Sequence, residues 1–87
     1  MSEPASERGE FSVYQFFRNG QHERVLWLVD TVTAVEQVRM LAHSIDGRLG
    51  MTRRIIITDS GDYTVLEWRF GEGVIYPPGG LMFPARH

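Results

Sequence analysis

Arginine is the residue type with the clearest chemical potential in this chain. The sequence contains no lysine, and all nine of its strongly basic residues are arginines. Arg48, Arg53 and Arg54 lie close together in sequence, and Arg39 lies on the helix predicted just before them. Because the planar guanidinium group binds phosphate and stacks on bases, Arg48, Arg53 and Arg54 form a candidate site for RNA or DNA.

A short glycine motif lies beside these arginines. Gly47-Arg-Leu-Gly50 resembles the GXXG loop with which KH domains hold a nucleic-acid backbone, although that loop joins two helices and this one leads into a basic strand. A glycine that ends a helix explains Gly47 without a ligand. The net charge of −2 also lacks the basic excess typical of nucleic-acid domains, so nucleic-acid binding is an alternative and not the favoured function.

Two groups of polar residues have types that could bind a metal ion. Asp59 and Asp62 lie in an Asp-Ser-Gly-Asp segment, but a calcium loop needs further carboxylates, and these residues are typical of a β-turn. His22, His43 and His87 do not have the spacing of a local metal site, and the chain contains no cysteine. We therefore predict no metal ion and no cofactor.

The serines and the remaining glycines give no motif for catalysis. Ser12, Ser44 and Ser60 do not occur in a nucleophile-elbow pattern, and Gly71-Glu-Gly73 only begins a dinucleotide-binding motif. We predict no catalytic residue. A small-ligand-binding or catalytic domain is a further alternative that would need a concave site where the sheet meets the helix.

Composition predicts one small domain. The 87 residues are 43% hydrophobic and 23% charged, which suffices for a packed core. The sequence contains neither a long apolar run nor a signal-peptide pattern, and the lack of cysteine excludes a disulfide scaffold. We expect a cytoplasmic protein, and the use of arginine without lysine points to a GC-rich bacterial genome.

Two aromatic and β-branched segments predict the first hairpin. Residues 11–18 and 22–29 flank Asn19-Gly20, the typical sequence of a two-residue type I′ turn. That turn would pair Val13 with Leu26 and Phe16 with Glu23. Both faces of the hairpin then carry apolar residues, so each face needs a cover.

An amphipathic helix is predicted after this hairpin. Thr33 and Glu36 have the spacing of a capping box, and Gly47 is expected to end the helix. Apolar residues recur at steps of three and four and predict one buried stripe: Val35, Val38, Leu41, Ala42 and Ile45.

A second hairpin follows the helix. Residues 53–58 and 63–70 are predicted to pair around the Asp59–Asp62 turn, with Arg54 opposite Glu67. The helix side would receive Ile55, Ile57, Leu66, Trp68 and Phe70. The opposite side would receive Ile56, Tyr63 and Val65.

These elements predict an α+β fold of ββαββ order. A four-stranded antiparallel sheet carries one amphipathic helix on one face, with strand order 2-1-3-4 or 1-2-4-3. Residues 10–76 form the domain, residues 1–9 and 77–87 are tails, and residues 74–76 add an edge strand at best.

One helix covers one sheet face, so the other face is predicted to bind a partner. The favoured function is an interaction module that forms a homodimer or holds a protein partner through this face or a sheet edge. The other possible cover is the C-terminal tail. The predicted interface residues are Tyr14, Phe16, Trp27, Ile56, Tyr63 and Val65.

Overall fold

The computed structural model describes residues 9–77 and shows an α+β fold with five antiparallel strands. The order of strands in the sheet is β2-β1-β3-β4-β5, one of the two predicted arrangements with a fifth strand added. Residues 1–8 and 78–87, most of the two predicted tails, lie outside the described part. The elements are β1 (Phe11–Phe17), β2 (His22–Val29), α1 (Thr31–His43), α2 (Ile45–Leu49), β3 (Thr52–Thr58), β4 (Thr64–Arg69) and β5 (Gly73–Tyr76).

The loop of the first hairpin has three residues and not the two that were predicted. The Phe17 amide donates to the Gln21 carbonyl at 2.7 Å, and the Gly20 amide donates to the Phe17 carbonyl at 2.9 Å. Gly20 takes a φ of 92°, whereas Asn19 does not take the positive φ that a type I′ turn requires. The predicted turn type is therefore wrong, because only one residue of the loop is left-handed.

This longer loop changes the pairing of β1 with β2. Phe16 lies opposite His22 and not opposite Glu23, and Tyr14 lies opposite Arg24. A bulge then restores the predicted pairing of Val13 with Leu26. As a result, polar side chains share the face that holds Tyr14 and Phe16.

The helix begins earlier than the capping box predicted. Asp30 is the N-cap, and its Oδ1 accepts a hydrogen bond from the Thr33 amide at 2.8 Å. Aspartate is a stronger N-cap than threonine, which explains why Thr33 lies inside the first turn. Glu36 forms an exposed ion pair with Arg39 at 3.9 Å instead of reaching back to a cap.

Ser44 divides the predicted helix into two. Its side chain accepts a hydrogen bond from the Gly47 amide and so caps α2. Gly47 lies buried inside α2, and Gly50, with a φ of 84°, ends that helix. The predictions that Gly47 ends the helix and that Ile45 belongs to the buried stripe are both wrong, because Ile45 begins α2 and is 72% exposed.

The core lies between the helices and one sheet face. Val38 is buried and Val35, Leu41 and Ala42 pack against the core, so this part of the predicted stripe is confirmed. The buried apolar residues of the core are Val13, Ala34, Val38, Ile55, Ile57 and Leu66.

The second hairpin is displaced from its predicted register by two residues. Arg54 lies opposite Arg69, and Ile56 lies opposite Glu67. Because side chains alternate with a period of two, an even displacement leaves each of these residues on its predicted face. A bulge at Val65 has the opposite effect and turns that side chain toward the helix, where it packs against the core.

Candidate binding surface

The sheet face away from the helices is built from alternate residues of all five strands. Directly paired residues share a face, so the cross-strand register places Tyr14 with Arg24, Ile56 with Glu67, and Glu67 with Tyr76. No helix covers this face within residues 9–77. We call it the aromatic–arginine face; its members are Tyr14, Phe16, His22, Arg24, Trp27, Arg54, Ile56, Glu67, Arg69 and Tyr76.

Glu67 is the electrostatic centre of the face. Its Oε2 accepts hydrogen bonds from Nε of Arg54 at 2.8 Å and from Nε of Arg69 at 3.0 Å, and its side chain is only 13% exposed. Burial raises the pKa of this carboxyl, but the hydrogen bonds from Arg69 and Arg54 outweigh burial, and the net pKa lies below its ordinary value. Glu67 is therefore ionised at neutral pH and holds two arginines in place.

Two arginines of the face lie over aromatic rings. The guanidinium of Arg54 lies 4.8 Å from the centroid of Phe16, whose ring also stacks on His22 at 5.3 Å. The guanidinium of Arg24 lies 5.1 Å from the Trp27 ring. These contacts fix planar groups side by side, and such groups suit flat or anionic ligands.

The charge of the face is opposite to that of the chain. Arg24, Arg54 and Arg69 share this surface with one carboxylate, Glu67, which leaves a net charge of +2. The whole chain carries −2. The positive charge is thus concentrated on the uncovered side of the sheet.

Exposed aromatic surface lies at the two edges of the face. Trp27 on β2 is 61% exposed and Tyr76 on β5 is 47% exposed. Five strands spaced about 4.8 Å apart separate these edges by roughly 19 Å. Ile56 near the centre is only 8% exposed, so long neighbouring side chains already close over the apolar middle.

The structure brings together four of the six predicted interface residues. Tyr14, Phe16, Trp27 and Ile56 share the aromatic–arginine face, as predicted. Tyr63 lies outside β4, directly after the turn, and is 74% exposed. The prediction that Val65 shares their face is wrong, because the bulge places it on the helix side.

The predicted arginine site is divided. Arg54 lies on the aromatic–arginine face, whereas Arg53 lies over the Phe70 ring at 5.0 Å, close to Gly50 at the end of α2. Arg48 is exposed on α2. The register instead brings Arg24 and Arg69 to the face of Arg54. Sequence reasoning missed Arg24 because its face depends on the length of the first hairpin loop, whereas Arg69 lies on this face in either register of the second hairpin.

The glycine motif has structural explanations at both ends. A Cβ on Gly47 would lie 2.3 Å from the carbonyl oxygen of Leu41, so α1 and α2 approach too closely for any side chain. Gly50 supplies the left-handed residue that ends α2. The segment is therefore a helix and its cap and not a loop between helices.

The Asp59–Asp62 segment is a turn, as predicted. Asp59 Oδ1 accepts hydrogen bonds from the amides of Gly61 at 2.9 Å and Tyr63 at 3.0 Å. That carboxylate oxygen is occupied by the backbone of its own loop. Among residues 9–77, His, Asp and Glu side chains form no cluster of three that could hold a metal ion.

Three cavities lie near the predicted edge between sheet and helices, and the one between α1 and strands β4 and β5 measures about 380 Å³. An apolar cavity of about 250 Å³ separates the start of α1 from β4, and a groove of about 650 Å³ separates the first hairpin loop from α2. The apolar cavity is smaller than a typical ligand pocket and has almost no polar lining. The groove is lined by Phe17, Arg18, Asn19, Gln21, Asp46 and Met51.

The fold and the surface together define a small α+β domain with an open, basic sheet face. In the described part of the chain, no helix has the length and apolarity to cross a membrane. Comparisons with protein-family models, curated proteins and solved structures find no match to this chain.

Proposed function

We propose that this protein is a binding module and that it holds an anionic partner on the aromatic–arginine face. The observation that supports this most is that Arg24, Arg54 and Arg69 share with a single carboxylate, Glu67, a face that neither helix covers. Two of these arginines lie against aromatic rings, and the third is held by Glu67. The guanidinium groups are therefore positioned before a partner arrives, which lowers the entropic cost of binding.

Charge argues against a homodimer formed through this same face. Two copies placed face to face would bring two positively charged surfaces together. Like charges across an interface weaken the binding free energy by roughly several kcal/mol. An anionic partner gains from the same charges. The face thus favours a partner of opposite sign over a second copy.

The sheet edges are also poor surfaces for pairing. β2 carries bulges, and its residue Leu28 has a φ of 54°, which interrupts the row of backbone groups that a neighbouring strand would need. β5 has only four residues and is followed by Pro77. Partner binding therefore falls to the face and not to an edge.

Retention on immobilised dextran sulfate, a polyanion without bases, tests this function. The Arg24→Ala/Arg69→Ala variant should elute at lower salt than the wild type, because it loses two of the three positive charges of the face. Arg48→Ala/Arg53→Ala makes the same change in net charge away from the face and should elute near the wild type. Equal elution of both variants would contradict the proposal.

Self-association is a second candidate, on a different surface. Ile45 and Leu49 lie on α2 at helical spacing and are 72% and 69% exposed, and Met40 on α1 is 59% exposed. A monomer rarely leaves neighbouring apolar side chains this open without a partner. Light scattering would detect a homodimer as a mass near twice 10.0 kDa, and Leu49→Glu should lower it. The cytoplasmic location and bacterial source expected from the sequence stay predictions.

A further inference from the structure

We infer that the anionic partner is a single strand of nucleic acid, whose bases stack on the exposed aromatic rings at the edges of the aromatic–arginine face. This inference rests on the proposed function and names the partner of the same surface. Its basis is the combination of arginine guanidinium groups and exposed aromatic rings on one sheet face.

Exposed aromatic rings distinguish this partner from other polyanions. Trp27 and Tyr76 keep 61% and 47% of their surface open, although both are large side chains that a folded domain gains by burying. Any of the four bases can stack on such a ring, because every base has a π-face. An acidic peptide has no comparable planar group, so the open rings favour nucleobases.

The three arginines lie along the path that a single strand of nucleic acid would follow across the sheet. Arg24 lies on β2 beside Trp27, Arg54 on the central strand β3, and Arg69 on β4, one strand from Tyr76. Phosphates between stacked bases would then meet a guanidinium from one edge to the other. Glu67 in the middle accepts from two of these arginines and orients them.

The shape of the surface selects a single strand over a duplex. Reading a duplex requires an element that enters a groove, whereas the face of a sheet offers a platform on which unpaired bases can stack. The long helix α1 packs on the opposite side of the sheet, and α2 contacts α1 and β3. A duplex could therefore touch the face only with its phosphates.

Tryptophan fluorescence gives a direct test, because one of the two tryptophans lies on the face and the other does not. Trp68→Phe leaves Trp27 as the single reporter, and Trp27→Phe leaves Trp68, which packs against the core. Octathymidylate, within the range of about 4–16 nucleotides that single-strand platforms occupy, should quench Trp27 and leave Trp68 unchanged. If Trp68→Phe does not fold, the difference between wild type and Trp27→Phe reports the same signal.

The arginine variants make the test quantitative. Arg24→Ala/Arg69→Ala should weaken octathymidylate binding roughly tenfold or more and reduce the slope of log affinity against log salt by about 1.4, the value expected for two lost phosphate contacts on a single strand. Arg48→Ala/Arg53→Ala should stay within about twofold of the wild type, since it leaves the face intact.

Three outcomes would overturn the inference. Equal quenching by octaglutamate would assign the face to an acidic protein. No change of Trp27 emission with octathymidylate, while dextran sulfate retention still depends on Arg24 and Arg69, would leave the proposed function standing without nucleic acid. An equal loss of affinity in Arg48→Ala/Arg53→Ala would move the site to the end of α2.

Discussion

Asp59 and Asp62 show how two identical side chains in one turn have different roles. Asp59 accepts two backbone hydrogen bonds that close the loop, whereas Asp62 occupies a left-handed conformation with a φ of 67°. Glycine adopts that conformation without steric cost, and aspartate does not. One carboxylate therefore stabilises the hairpin, and the other tolerates a strained position.

The turn gives a pair of predictions with opposite signs. Asp59→Ala should lower the free energy of unfolding by about 1–2 kcal/mol, because two amides lose their acceptor. Asp62→Gly should raise it by about 0.5–1 kcal/mol, because the left-handed position is relieved. Urea unfolding measures both. Similar losses in the two variants would contradict this description of the loop.

Glu67 makes the stability of the sheet depend on pH. Its folded-state pKa lies below the ordinary value of 4.5, so its contribution is complete above that value and is lost as the pH falls through the folded pKa. Asp30 acts in the same direction, because hydrogen bonds from Thr33 lower its pKa as well. Both carboxylates therefore contribute to loss of stability in acid.

Urea unfolding across pH 7 to 3 tests the role of Glu67. Glu67→Gln should lower the free energy of unfolding at pH 7 by about 1 kcal/mol, since Arg54 and Arg69 lose their charged acceptor. It should also flatten the decline of stability below the ordinary pKa, because the titrating group is gone. Asp30→Asn, which keeps an N-cap acceptor, should flatten the decline as well. An unchanged slope in Glu67→Gln would contradict the arrangement.

At the scale of elements, the alternation of residues along a strand predicts which sheet face a side chain occupies. It predicts less well which residues lie opposite each other on neighbouring strands. The register of the second hairpin is displaced by two residues, and Ile55, Ile57 and Leu66 still lie on the helix side as expected. The bulges at Val25 and Val65 reverse local faces, and neither leaves a pattern in the sequence. Only the observed pairing of β1 with β2 therefore places Arg24 on the face of the candidate site.

The position of the first hairpin was predictable, but the length of its loop and the two ends of the helix were not. Asn19-Gly20 predicts a hairpin but not the length of its loop. The loop has three residues because the amide that donates to the Gln21 carbonyl is that of Phe17. In the same way, the periodicity of α1 extends to Ile45, and only the capping side chain of Ser44 shows that the helix ends before it.

Gly47 gives a prediction about the contact between the two helices. A Cβ there would lie 2.3 and 2.6 Å from the backbone carbonyl oxygens of Leu41 and Ala42. Backbone atoms cannot move aside as the end of a flexible side chain can. Gly47→Ala should lower the free energy of unfolding by about 1–3 kcal/mol. Gly71→Ala, with a φ of 85° and open space around it, is the control and should cost only about 1 kcal/mol of backbone strain. A larger loss in Gly71→Ala would contradict the close approach of the helices.

At the scale of the molecule, the distribution of charge separates the two sides of the sheet. The helices and the core occupy one side, while the other holds three arginines, one glutamate and the exposed rings of Trp27 and Tyr76. An overall charge of −2 hides this asymmetry, because acidic residues elsewhere in the chain offset the face. The net charge of the whole chain therefore argues against a basic binding surface, although the fold assembles one.

The most direct test of that surface is an amide NMR spectrum recorded while octathymidylate is added to the wild-type protein. We predict that the indole signal of Trp27 and the amides of Tyr14, Arg24 and Arg69 shift together, while those of Ala34 and Val38 on α1 stay in place. Shifts confined to the segment 47–53, or a spectrum that does not change, would contradict the assignment of function to the aromatic–arginine face.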